Sequence, residues 1–156
     1  MKKQYVFLVA LCGFWGMNQT ALSSEFDQYL QQKNILDQNF KIIDKPALTE
    51  LVTALSEEDS KTFPIEVDHN TILEKLEMDA EKTILTGMII TPDFNQFEKD
   101  LGKKEVTQFI RKNLINNCPI FFEHEYQRHN PYTVELKLHS TTNTYEFSLA
   151  PKDCGI

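Results

Sequence analysis

The chain has 156 residues, with 16 lysines and arginines against 23 aspartates and glutamates, so its formal net charge is −7. This acidic balance argues against nucleic acid and against an anionic membrane surface as partners, because clustered lysine and arginine bind both. The five glycines form no glycine-rich loop, which counts against a nucleotide-phosphate site, and no small-molecule cofactor is predicted.

The N-terminal residues have the pattern of a secretory signal. Lys2 and Lys3 form a positive start, residues 5–17 form a continuous apolar run, and Ala21 and Ser23 supply the small residues of a cleavage site. The apolar run has 13 residues and is too short to span a bilayer of about 30 Å as a helix. We predict a signal peptide over residues 1–23, cleaved near Ser23, and a periplasmic or secreted protein.

Two ways of attaching the chain to a membrane remain as alternatives. The signal could stay uncleaved as an anchor, because the end of its apolar run is bulky. Cys12 could be lipidated, but bacterial lipoprotein signals place a small residue before that cysteine, and this chain has Leu11. The sequence favours cleavage over both alternatives.

The cysteines predict a disulfide bond. Removal of residues 1–23 leaves Cys118 and Cys154, and an exported protein meets oxidising conditions. The bond would close a loop of about 37 residues, which the chain-entropy account values at about 4 kcal/mol.

Residues 24–60 are predicted to form a helical N-terminal extension. Phe26, Tyr29 and Leu30 have helical spacing within residues 25–43, and a second helix begins at Pro46, with a polar loop over residues 56–61. Apolar residues of the second helix recur on one face: Leu48, Leu51, Val52 and Leu55. Residues 61–156 would then form the main domain.

The main domain begins with a predicted β-hairpin followed by two helices. The hairpin strands are residues 71–79 and 83–91, and the second strand is the more apolar one. The first helix has Thr91 as a cap and ends at Gly102, and the second covers residues 103–117. Apolar side chains of these helices are expected to face inward: Phe94, Phe97, Leu101, Val106, Phe109, Ile110 and Leu114.

The last section predicts two strands. Apolar and polar residues alternate over residues 132–140 and again over residues 144–151, which is typical of strands with one buried face. The predicted fold class is α+β, with an antiparallel sheet of about four strands in ββ-αα-ββ order packed against helices. The disulfide would join the end of the second of these helices to the end of the last strand.

The stretch NNCPIFFEHEYQRHN, residues 116–130, contains the histidines that most resemble a metal site. The zinc-protease motif places its histidines at positions i and i+4, whereas His124 and His129 are five residues apart. On a helix this spacing turns the second ring by about 140° from the first. His124 and His129 are therefore weak metal candidates, and a third ligand would have to come from Glu123, Glu125 or His139.

Nucleophilic catalysis has no support in the sequence, so no catalytic residue is assigned. There is no G-x-S-x-G motif, and the cysteines are expected to pair with each other. We expect Phe121 and Phe122 to face the core and the histidines of this stretch to face water. His124, Tyr126 and His129 then form a candidate rim for binding a partner.

The order of elements from Phe63 to Cys154 resembles the α/β class of type II secretion pilotins and related small exported bacterial proteins. The residues that carry the resemblance are FPIEVDHNTILEKL, TILTGMII, FIRKNLINNC, FFEHEY and YEFSLAPKDC. The resemblance covers about the last ninety residues. It implies a helix-flanked antiparallel sheet with a Cys118–Cys154 bond, and a protein that binds another protein.

These observations predict a non-enzymatic accessory domain of the bacterial envelope or secretion apparatus, with another envelope or secreted protein as its partner. One alternative is a metal-dependent hydrolase that uses His124, His129 and a nearby carboxylate. A second alternative is an immunity or inhibitor protein whose acidic surface covers an exported toxin.

Overall fold

A computed structural model describes the backbone of residues 19–156 and the side chains from Glu25 onward. Five α-helices and five strands alternate in groups along this part of the chain. The helices are α1 (Gln19–Gln32), α2 (Lys45–Ser60), α3 (Phe94–Leu101), α4 (Lys103–Asn116) and α5 (Glu125–His129). The strands are β1 (Ile65–Asp68), β2 (Thr71–Met78), β3 (Lys82–Ile89), β4 (Thr133–His139) and β5 (Thr144–Leu149). Short 3-10 turns at Cys118–Phe121 and Pro151–Cys154 contain the cysteines.

The strands form one mixed sheet in the order β1-β2-β3-β4-β5. Neighbouring strands are antiparallel except β3 and β4, which run parallel from the pair Lys82 and Thr133 to the pair Met88 and His139. Parallel neighbours cannot be joined by a tight turn. Residues 90–132 therefore form a crossover that returns the chain along the sheet, and this crossover contains α3, α4 and α5.

The α+β class and the helix-covered sheet are confirmed, whereas two details of the predicted sheet are wrong. The sheet has five strands, because the four-residue edge strand β1 was not predicted. It is also not fully antiparallel, because the two predicted hairpins lie side by side with β3 parallel to β4. Helix boundaries differ as well: α1 ends at Gln32, and α2 continues to Ser60 through the predicted polar loop.

One face of the sheet is buried and the other faces solvent. On β5 the side chains alternate strictly, with Tyr145, Phe147 and Leu149 buried and the residues between them exposed. The same core contains Leu30 of α1 and Leu48 of α2. The predicted boundary near residue 60, between the N-terminal extension and the main domain, stays a prediction. Apolar side chains from before and after this boundary share one core.

The predicted signal peptide lies outside the described residues, except for its last five positions, whose backbone belongs to α1. Cys12 also lies outside them. Within residues 19–156, no helix combines the length and the apolar character needed to cross a membrane.

The predicted disulfide between Cys118 and Cys154 is present. The cysteines are 36 residues apart in sequence, and their Cα atoms are 5.3 Å apart, within the usual range for a disulfide. Cys118 lies two residues after the end of α4, and Cys154 lies five residues after the end of β5. The bond therefore fastens the middle of the crossover to the end of the last strand.

We predict that replacing both Cys118 and Cys154 by serine lowers the free energy of unfolding by about 3–4 kcal/mol, because the unfolded chain gains the entropy of an open loop. Urea denaturation of the wild type and the double variant measures the loss. Reductant should destabilise the wild type by the same amount and leave the double variant unchanged. A loss below about 1 kcal/mol would contradict the prediction.

Candidate functional site

The residues between α4 and β4, numbers 118–130, form what we call the covering segment. It starts with the 3-10 turn at Cys118–Phe121 and ends with the five-residue helix α5. Phe121 and Phe122 are both buried, which confirms their predicted orientation toward the core. The ring of Phe122 meets that of Tyr132 edge to face, with centroids 6.4 Å apart. The covering segment is thus part of the core.

The structure divides the predicted rim between the interior and the surface. Tyr126 has no exposed area and His124 is 9 % exposed, whereas the side chain of His129 is 45 % exposed. The expectation that both histidines face water is therefore wrong for His124. Its ring lies against Phe26 of α1, with centroids 4.8 Å apart, and stacks on Tyr126 at 5.8 Å. No local sequence pattern indicates this contact, because Phe26 and His124 are far apart in the chain.

The two histidines of the weak metal motif have different surroundings. His129 Nδ1 lies 2.9 Å from the carbonyl oxygen of Glu125 and 3.4 Å from Glu125 Oε2. The His124 ring is packed between aromatic rings. Among the residues that the structure describes, no group of three or more histidine, cysteine, aspartate or glutamate side chains could hold a metal ion.

A buried carboxylate fastens the covering segment to α1. Asp27 is 1 % exposed, and its Oδ2 accepts a hydrogen bond of 2.9 Å from the backbone N–H of Glu125, at the start of α5. Burial raises the pKa of Asp27 to about 6, although this hydrogen bond acts in the opposite direction. The sequence did not point to Asp27, because helix α1 alone offers no reason for its burial.

A small cavity lies between the covering segment and the buried face of the sheet. Its volume is about 60 Å³, enough for a few water molecules. Most of its lining is apolar, and it is bounded by residues of α1, α2, the sheet and the covering segment: Phe26, Val52, Leu55, Leu85, His124 and Val134 among them. Glu123 also lines it, and burial raises the pKa of Glu123 to about 7 against the opposing effect of Arg128.

Helices α3 and α4 form a second candidate site, which we call the hairpin (residues 94–116). The hairpin is fastened near both of its ends. At one end, Cys118 lies two residues after the end of α4 and is bonded to Cys154. At the other end, Phe94 meets Tyr145 of β5 edge to face, with centroids 6.3 Å apart. At the turn between the two helices, Lys103 Nζ lies 5.9 Å from the same ring.

A buried carboxylate strengthens the attachment of α3. Glu98 is 5 % exposed and accepts hydrogen bonds from the hydroxyl groups of Ser140 (2.8 Å), Tyr145 (2.5 Å) and Thr142. Burial alone would raise the pKa of Glu98, but these hydroxyl donors prevail and lower it. Glu98 therefore ties α3 to the β4–β5 turn as a carboxylate. The pKa of Tyr145 is raised, first by burial, then by its hydrogen bond to Glu98 and by the charge of that carboxylate.

The outer side of the hairpin exposes large apolar side chains. Leu101 is 46 % exposed and Phe109 is 55 % exposed, so their predicted inward orientation is wrong. Phe109 contacts the half-buried Phe97 edge to face, with centroids 5.8 Å apart. On α4 the exposed cation Lys112 lies one turn after Phe109, and the exposed Glu105 lies one turn before it. Lys104, five residues before Phe109, is about 140° from it around the helix. We call Leu101, Phe109 and Lys112 the hairpin patch.

Comparison with known proteins gives a fold likeness. No protein-family model matches the chain, and no curated protein matches it either. The structure is similar to the pilotin EpsS of the Vibrio vulnificus type 2 secretion system, with a TM-score of 0.49 and 9 % identity over 70 % of this chain and 94 % of the pilotin. It is also similar to a candidate secreted protein of Pseudomonas aeruginosa, with a TM-score of 0.43 and 8 % identity over 72 % of this chain and 96 % of that one. The loose resemblance to pilotins seen in the sequence is thus found in the structural search as well, at scores from which we draw no function.

We predict that the two carboxyl groups at the covering segment make folding weaker as pH rises. The pKa values of Asp27 and Glu123 are about 6 and about 7 in the folded protein, above their ordinary values of 3.8 and 4.5. The folded state therefore binds more protons than the unfolded state between about pH 4 and pH 7, and stability falls as pH rises through this range.

Urea denaturation across that range, for the wild type and for Asp27→Asn with Glu123→Gln, measures this effect. The stability of the wild type relative to the variant should fall from pH 4 to pH 7, because the amides do not titrate. Gln32→Ala, an exposed change at a residue that does not titrate, is the control and should keep a constant difference from the wild type. A pH-independent difference for the double variant would refute the prediction.

We predict that Glu98→Gln lowers the free energy of unfolding by about 1.5–3 kcal/mol at neutral pH, because hydrogen bonds to a charged acceptor are stronger than those to an amide. The lowered pKa of Glu98 means that the folded state favours the carboxylate. Protonation of Glu98 at acid pH should therefore remove the stabilisation that its carboxylate provides. Thermal or urea unfolding of both proteins at neutral and acid pH checks this. Glu105→Gln, an exposed change on α4, should alter stability by less than about 0.5 kcal/mol.

Proposed function

We propose that this chain is an exported, non-enzymatic accessory domain of the bacterial envelope or secretion apparatus, and that it binds another protein through the hairpin patch. The observation that carries the proposal is the exposure of Leu101 and Phe109 on a hairpin fastened near both ends. The ring of Phe109 contacts Phe97, and Leu101 lies one turn after Phe97 on α3, so both exposed side chains lie beside Phe97. Exposed apolar side chains that lie together on a folded surface are typical of protein-binding sites. Export is supported by the signal-like N-terminus and by the disulfide bond.

The attachment of the hairpin suits a binding surface. Side chains and loops that become ordered on binding reduce affinity, so a preformed surface binds more tightly than a mobile one. The disulfide after α4 and the Glu98 hydrogen bonds at α3 both hold the hairpin to β5 and its neighbouring turn before any partner arrives. Phe109 is also positioned by its edge-to-face contact with Phe97.

The predicted rim contributes less to this proposal. His124 and Tyr126 are inside the molecule and cannot contact a partner without movement of the covering segment. His129 reaches the surface, so we keep it as a second position at which a partner could be detected.

Photo-crosslinking in the bacterium that encodes the protein tests the proposal. A photoreactive amino acid replaces Phe109, His129 or Glu146 in turn, the last being an exposed residue of the open sheet face. Position 109 should give one discrete adduct with an exported protein, identified by mass spectrometry, and position 146 should give none. If that adduct contains an exported toxin, the protein is an inhibitor of it.

Two results would count against this assignment. Absence of any adduct from position 109, in folded protein with an intact disulfide, would remove the hairpin patch as the binding site. A discrete adduct from position 129 alone would transfer the site to the exposed end of the covering segment.

A further inference from the structure

We infer that the hairpin patch binds an acidic segment of its partner that carries at least one large apolar side chain. This inference rests on the proposed function and specifies the partner's chemistry. Residues 94–116 contain five lysines and arginines against three aspartates and glutamates, so the hairpin has a net charge of +2 in a chain of net charge −7. The hairpin is therefore a local region of opposite sign on an acidic molecule.

The excess of positive charge at the surface is larger than this count indicates. Glu98, one of the three acids, is buried and hydrogen-bonded to three hydroxyl groups. The other two acids of the hairpin, Asp100 and Glu105, are exposed. The exposed lysines and arginines of the hairpin are Lys99, Lys103, Lys104, Arg111 and Lys112. A partner that approaches the patch therefore meets more cationic than anionic groups.

The apolar part of the patch requires more than negative charge from the partner. Phe109 is 55 % exposed, and its neighbours on the outer side of α4 include Lys112 one turn later. An acidic segment without apolar residues would leave this ring in water and gain only screened charge contacts. Burial of a large apolar side chain contributes more to affinity than an exposed ion pair does. The exposed ring of Phe109 and the surrounding lysines and arginines together favour a partner segment that contains both acidic and large apolar residues.

The same charges favour a protein segment over an anionic bilayer. At physiological salt, charges farther away than about 8 Å are largely screened, so a segment that covers only the patch interacts mainly with the hairpin. A bilayer is extended and also meets the rest of the molecule. Outside residues 94–116 the chain has 11 lysines and arginines against 20 aspartates and glutamates, a net charge of −9. That surface is repelled by anionic lipid.

Fluorescence anisotropy with designed peptides tests the inference on purified protein with its disulfide intact. The first peptide combines glutamate with leucine, the second replaces every glutamate by lysine, and the third replaces every leucine by serine. We expect the first peptide to bind at least about tenfold more tightly than the other two, and to weaken as salt rises from about 0.01 M to about 0.5 M.

Matched variants show whether binding occurs at the hairpin patch. Lys112→Glu, and separately Phe109→Ala, should each weaken binding of the first peptide by about tenfold or more. Lys33→Glu changes an exposed lysine just after α1, and Ile43→Ala changes a residue that is 61 % exposed. Both are controls of the same kind and should leave binding unchanged. Circular dichroism confirms that each variant is folded.

Three results would overturn the inference. These are no binding of the first peptide, equal binding of the lysine peptide, and peptide binding that the hairpin variants do not change. Flotation with vesicles rich in phosphatidylglycerol provides the fourth test, because lysine-dependent vesicle binding without peptide binding would assign the patch to a membrane.

The crosslinking experiment is independent of the peptide experiment. A partner adduct at position 109 together with failure of the peptide to bind would retain the proposed function and reject only the inference that the partner segment is acidic and apolar.

Discussion

The parallel pairing of β3 and β4 is the constraint on which the rest of this structure depends. Two parallel neighbours need a connection that travels back along the sheet, and such a connection must lie over one of its faces. Here it occupies residues 90–132 and contains α3, α4 and the covering segment. Both candidate sites are therefore parts of one crossover, and their positions follow from how it is attached to the sheet.

The crossover is attached through β5, its turn and α1. The disulfide joins the end of α4 to the residues after β5, and Glu98 joins α3 to Tyr145 and the β4–β5 turn. Asp27 of α1 then accepts a hydrogen bond from the start of α5. Glu98 and Asp27 are both buried carboxylates but differ in their pKa, because three hydroxyl donors favour the charge on Glu98 whereas burial prevails at Asp27. We therefore expect Glu98 to hold the hairpin best as a carboxylate, and the attachment made by Asp27 to depend on pH.

The sequence predicted the elements better than their arrangement. Alternating residues identified β2, β4 and β5, because alternation is a local pattern within each strand. The cysteine count identified the disulfide, because two cysteines after the predicted signal allow one pairing. The direction of β4 relative to β3 depends on the path of the whole crossover, and no residue pattern within either strand records it. Likewise, the burial of His124 depends on Phe26 of α1, and the exposure of Phe109 depends on how far α4 overlaps the sheet. The surface role of Phe109 could not be read from helical spacing, since that spacing suits an inward residue equally well.

The distribution of charge links this architecture to binding. Carboxylates that contribute to the fold, Glu98 and Asp27, are buried, while the cations of the hairpin remain at the surface. In the complex that we infer, the excess of cations on the hairpin would orient this otherwise acidic molecule toward an acidic partner, and the acidic remainder would discourage association with acidic surfaces elsewhere. The apolar residues Leu101 and Phe109 then act over short distances, after the charges have oriented the encounter. Because the hairpin is held to the sheet near both of its ends, a partner segment bound at the hairpin patch would orient the whole domain and not the hairpin alone.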